Sequence, residues 1–185
     1  MHEHFEVKQL VYSDVEFISL KYEEITKESP TSQLTKMEGM KAGLGIPIVS
    51  AGVHTQETKS YQLSSLGMLN KIYSELIKYP AYDLENYKEI KKPTIVWVKG
   101  VITVSCWKKG EEKYDYFQLY STPGKADFYL MMKPEYTNSG YDTLLNISPV
   151  VHDNIQIPVF ALLKILYFTT TTKTYISTPY LIMEQ

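Results

Sequence analysis

The chain has 185 residues, of which 44% are hydrophobic and 22% charged, and its formal net charge is -2. This length and apolar content allow a sizeable buried core and exclude a mainly disordered chain, which could not bury enough apolar surface to offset its ordering entropy. The longest apolar stretch, residues 155–168, is interrupted by Gln156, Pro158 and Lys164, and it is shorter than the roughly 20 residues of a membrane-spanning helix.

Residues 5–12 (FEVKQLVY) read as a short strand, and Ser13 with Glu16 predicts a capping box that opens a helix. Val15, Ile18, Tyr22 and Ile25 recur on one face of that helix, which should end near Glu28, before Pro30. Glycines at 39, 43, 45 and 52 break any helical pattern, and Pro47 divides the apolar run 44–53. Residues 31–62 therefore read as loop with a short strand. Ser64 or Ser65 caps a second helix, with Leu66, Leu69, Tyr73, Leu76 and Ile77 as its apolar stripe before Pro80. Residues 82–93 add a helical turn or two that Pro93 stops.

Beyond Pro93 the residues become β-branched and aromatic. PTIVWVKGVITVSCW predicts one bent strand or two short ones, KKGEEK a turn, YDYFQLYST the partner strand and DFYLMMK a third, forming an antiparallel meander. GYDTLLNI suggests a short helix, and VFALLKILYF is compatible with a buried helix or a strand. TKTYISTPYLIME reads as a closing strand pair or an edge, because Pro179 argues against a central strand.

The meander carries the pattern most relevant to function. Alternation places Val96, Val98, Ile102, Val104 and Cys106 on one face of its first strand and Ile95, Trp97, Lys99, Val101, Thr103, Ser105 and Trp107 on the other. Phe117 and Leu119 point inward on the return strand, leaving Tyr114, Tyr116, Gln118 and Tyr120 beside the tryptophans. A bulge at Gly100 would reverse the parity of one half and turn Trp97 inward. An aromatic, hydroxyl-bearing face fringed by lysines suits the centre of a protein interface or the stacking of bases, and it is equally the kind of surface a helix covers in α+β folds.

All 19 cationic residues are lysine. Without arginine there is no bidentate fork for phosphate or guanine, and an arginine finger within the chain is excluded. The bias toward Lys, Ile, Tyr and Asn fits an AT-rich genome, a low-GC bacterium or its phage. The single cysteine, Cys106, forms no internal disulfide and reads as a small core residue. His2 and His4 lack a third ligand at metal-binding spacing, and His152-Asp153 fits a polar turn before Ile155. Gly43, Gly45 and Gly52 match neither a dinucleotide nor a phosphate loop.

The expected fold is α+β: amphipathic helices in the N-terminal half packed on an antiparallel sheet in the C-terminal half, curled toward a barrel. One domain should span 1–185, with a helical and mixed part over 1–92 and a β-rich part over 93–185. The leading functional expectation is a non-enzymatic binding or regulatory protein, a bacterial or phage accessory such as an immunity, antitoxin or defence protein. It would act through a protein partner or self-association. A nucleotide or single-stranded nucleic-acid module is the alternative, and a small hydrolase comes third. The candidate binding residues are Trp97, Lys99, Trp107, Tyr114, Tyr116 and Tyr120. No catalytic residue, metal or cofactor is assigned. The amino terminus lacks a basic segment followed by an apolar one, which predicts no secretory leader, no membrane association and a cytoplasmic location.

Overall fold

The computed structural model describes residues 10–28, 31–32, 48–49, 58–60, 63–82, 92–109, 112–121, 127–137, 141 and 155–185. The chain forms two compact units, one of Asp14–Lys78 with Met1–Val7 and the other of Tyr79–Gln185 with Lys8–Ser13. Strand β1 (Leu10–Ser13) belongs to the second and leads directly into helix α1 (Val15–Thr26) of the first.

In the first unit, α1 is capped by Asp14, whose carboxylate accepts the Phe17 N–H at 2.9 Å. The cap lies one residue later than the Ser13 box because Asp14 holds the extended backbone conformation that a cap requires. Val15, Phe17, Ile18 and Tyr22 are buried, whereas Ile25 is exposed. The helix stops at Lys27, which takes the left-handed conformation (φ 60°) and donates its N–H to the Glu23 carbonyl at 3.0 Å. Three short strands follow, β2 (Thr31–Ser32), β3 (Ile48–Val49) and β4 (Thr58–Ser60), with β4 in the centre of an antiparallel sheet.

Helix α2 (Ser65–Leu76) is capped by Ser64, whose hydroxyl accepts the Gly67 N–H at 3.2 Å. Its buried face is Met68, Leu69, Ile72 and Leu76. The expected stripe through Leu66, Tyr73 and Ile77 is therefore rotated, and Ile77 is 52% exposed just past the last helical residue. Helices α1 and α2 pack together. At the C-terminal end of α1 the Tyr22 hydroxyl donates to the Glu28 carboxylate, and across the two helices Lys71 Nζ lies 3.3 Å from that hydroxyl and 3.5 Å from Glu28.

The second unit is a barrel. Strands β5 (Thr94–Lys109), β6 (Glu112–Ser121), β7 (Asp127–Leu130), β8 (Ile157–Thr169) and β9 (Thr174–Glu184) are hydrogen-bonded in the order β5-β6-β7-β9-β8. Pairing of β8 with β5 closes the ring. Every pair in it is antiparallel except β7 with β9, which run parallel, so the sheet is not the purely antiparallel one expected. The expected β5–β6–β7 meander is present, and the apolar run after Ile157 is strand, not helix. Val159, Ala161, Leu163 and Ile165 all join the barrel core, a period-two pattern that the buried Leu162 hides in the sequence.

Closure depends on β5 belonging to both halves of the barrel. It pairs with β8 over Thr94–Ile102 and with β6 over Gly100–Lys109. Gly100 stands where the two ladders overlap, and a Cβ there would lie 2.1 Å from the Tyr120 carbonyl oxygen. The residue therefore permits the close backbone approach of a bent strand. Neither ladder slips register at Gly100, so no bulge forms there.

Pro179 lies inside β9, which has neighbours on both sides. Over Thr174–Ser177 one edge of β9 pairs with β7, and over Leu181–Met183 that edge pairs with β1. Pro179 falls between these partners and beside a register shift in the β8 ladder, where its missing N–H interrupts no regular run of bonds. The Ser177 hydroxyl donates to the Tyr129 carbonyl at 3.0 Å and the Met131 N–H to the Ser177 carbonyl at 2.9 Å, fastening the parallel pair. Inside the barrel Phe128 stacks on Tyr175 (5.2 Å between centroids), with Tyr82 and Phe168 packed edge-on or tilted around them.

Candidate binding face on the barrel

The inward residues of β6 and β7 are Phe117, Leu119, Phe128 and Leu130, so Tyr116, Gln118, Tyr120, Asp127 and Tyr129 point outward. The ladder sets Gln118 opposite Tyr129 and Tyr120 opposite Asp127. On the other side of β6, Ser105 faces Tyr116, Thr103 faces Gln118 and Val101 faces Tyr120. Three strands thus contribute to one aromatic and polar surface.

Its rings are arranged in two groups. Tyr116 and Tyr129 lie 4.7 Å apart with planes tilted by 32°, and both are half-buried. Tyr120 is 41% exposed. Between them Gln118 is only 9% exposed, and its carbonyl oxygen accepts the Ser105 hydroxyl at 2.8 Å. With the oxygen held by Ser105, the amide nitrogen is left as the donor that Gln118 can offer.

Asp127 introduces a negative group beside these rings. Partial burial pushes its carboxyl above the usual aspartate value. Its carboxylate makes no hydrogen bond or ion pair among the described residues.

The six residues singled out from the sequence have different placements. Tyr116 and Tyr120 are on the face, and Lys99 is exposed on the outward side of β5, opposite Phe160 of β8. Trp97 has outward parity but is 3% exposed, with its indole stacked on Phe160 at 4.4 Å and 7°. Its backbone binds Pro80 and Tyr82, the N–H donating at 2.8 Å and the carbonyl accepting at 2.7 Å, so the ring is packed and not presented to solvent. Trp107 and Tyr114 are ladder partners in the β5–β6 hairpin. Their side chains lie outside the described residues, as does that of Cys106.

Asp127 and Tyr129 were missing from the sequence-based set. Their signal was available, because alternation through DFYL places them opposite Phe128 and Leu130 once the segment is taken as a strand. The β8–β9 turn adds Thr170–Lys173, ending on Lys173 in the left-handed conformation (φ 54°). It borders the same surface, since the next residue, Thr174, pairs with Asp127.

The glycines at 43, 45 and 52, the four histidines, residues 83–91 of the 82–93 segment and most of GYDTLLNI lie outside the described residues. Among the described residues no group of His, Cys, Asp and Glu could hold a metal ion, and no helix is long and apolar enough to cross a membrane. No protein-family model, curated protein or solved structure matches the chain.

Proposed function

We propose that the chain is a non-enzymatic binding module that takes single-stranded nucleic acid across the outer face of β6 and β7. The observation that carries this reading is the placement of Tyr116, Gln118, Tyr120 and Tyr129 on the second and third strands of a closed five-stranded barrel. Its strand order, first-second-third-fifth-fourth with the third and fifth parallel, is similar to that of oligonucleotide-binding barrels. In those folds the second and third strands, the first hairpin and the fourth-to-fifth turn form the ligand surface.

Topology alone names no ligand. The residues supply the chemistry: tyrosine rings stack on bases of any sequence, and Gln118 offers an amide donor. Lys99 and the turn ending at Lys173 supply cations and hydroxyls for the phosphodiester backbone. The lack of arginine makes stacking, with lysines as point charges, the expected source of affinity. A protein partner ranked first on sequence alone, and the barrel order is what brings strand binding ahead of it.

Fluorescence anisotropy of a labelled twelve-residue thymidine strand, titrated with the intact protein, tests the proposal. Saturable binding that weakens as salt rises supports it, because each neutralised phosphate of a single strand contributes roughly -0.7 to the slope of log affinity against log salt. No change in anisotropy for any DNA or RNA homopolymer, together with a concentration-dependent mass in solution, would instead assign the face to a protein interface.

A further inference from the structure

Resting on the strand-binding reading above, we infer that Asp127 makes the face selective for guanine. Asp127 and Tyr120 are direct partners across the β6–β7 ladder, and both point outward because Leu119 and Phe128 occupy the core. Directly opposed residues in a sheet hold their Cβ atoms about 5 Å apart. A base stacked on the exposed Tyr120 ring can therefore turn an edge toward the Asp127 carboxylate.

A carboxylate on a surface that must accept a polyanion repels phosphate, which makes a purely electrostatic role at this position unfavourable. Its two oxygens are acceptors only when ionised, and together they match two neighbouring donors. Among the bases guanine alone presents such a pair, N1–H beside the N2 amino group. Cytosine and adenine each pair one amino donor with a ring-nitrogen acceptor that would face the second oxygen, while thymine and uracil flank a single N–H with two carbonyls. The partial desolvation of Asp127 agrees with this role, because it strengthens a hydrogen bond to an incoming donor. The Gln118 amide, two residues from Tyr120 and held by Ser105, is placed to donate to an acceptor on the same or the adjoining base.

The test compares labelled twelve-residue strands in anisotropy titrations: all thymidine, alternating guanosine and thymidine, and the same strand with inosine replacing guanosine. Inosine lacks only the N2 amino group, so wild-type protein can be tested without altering its fold. Guanosine should bind about tenfold tighter than inosine, the loss expected for one charge-assisted hydrogen bond. Asp127→Asn, checked for an unchanged melting temperature, should abolish that difference and bind the all-thymidine strand at least as well as wild type. Equal affinity for all three strands would overturn the guanine assignment while leaving strand binding intact. Failure of every strand to bind would overturn both.

Discussion

Tyr120 is exposed and stands beside Asp127 at the end of the β6–β7 ladder, so its removal separates binding from stability. Tyr120→Ala removes no core contact and should change stability by less than about 0.5 kcal/mol. A lost base-stacking contact weakens strand binding by about 1–3 kcal/mol, roughly five- to 150-fold in anisotropy titrations. Gly100 has the opposite character. Its missing Cβ accommodates the Tyr120 carbonyl, so Gly100→Ala forces β5 and β6 apart and should lower the melting temperature by several degrees, on the order of 1–3 kcal/mol. Asp14→Ala leaves the Phe17 N–H without its cap and should cost about 1 kcal/mol, read from chemical denaturation.

Among the elements, the α1–α2 pair carries the clearest dependence on pH. The Tyr22 hydroxyl, and secondarily Lys71, holds the Glu28 carboxyl below its usual value of 4.5, while Tyr22 and then Glu28 raise Lys71 above 10.5. A depressed carboxyl contributes stability above its unfolded value and loses it as pH falls through the folded one. A raised ammonium contributes below its unfolded value and loses it as pH rises past the folded one. The difference in melting temperature between wild type and Glu28→Gln should therefore stay constant from about pH 6 to 9 and shrink below about pH 4. These groups are solvent-exposed, so the difference is small and screened by salt.

The elements also differ in how plainly the sequence announced them. Both helices were legible from their periodicity and stop signals, but the buried face of α2 was not, because Met68 and Ile72 compete with Leu66 and Tyr73 for the apolar stripe. The β5–β6–β7 meander was legible because its strands alternate and are joined by short connections. In β8 the buried Leu162 interrupts the alternation, which left helix and strand equally compatible with the pattern.

At the scale of the whole molecule, the least legible features are long-range pairings. The parallel β7–β9 ladder joins Asp127 to Thr174, and β1 reaches across the chain from Leu10 to Met183. Neither leaves a local periodic trace, so the sequence pointed to a barrel-like sheet without its order. Pro179 argued against a central strand for the same reason: its tolerance comes from the change of neighbour between β7 and β1, which only the assembled sheet reveals. The candidate surface was half legible. Tyr116 and Tyr120 follow from alternation within one strand, whereas the partnership of Tyr120 with Asp127 requires the β6–β7 register.

That register is also what joins the binding proposal to particular atoms. Amide chemical-shift mapping on isotope-labelled protein, titrated with an unlabelled twelve-residue strand of alternating guanosine and thymidine, tests it most directly. The expected result is a contiguous set of shifts at Tyr116, Gln118, Tyr120, Asp127 and Tyr129, extending to Thr170–Lys173, with the core amides of β8 unmoved. An unchanged spectrum at saturating strand, or shifts confined to α1 and α2, would contradict the assignment of this face as the binding surface.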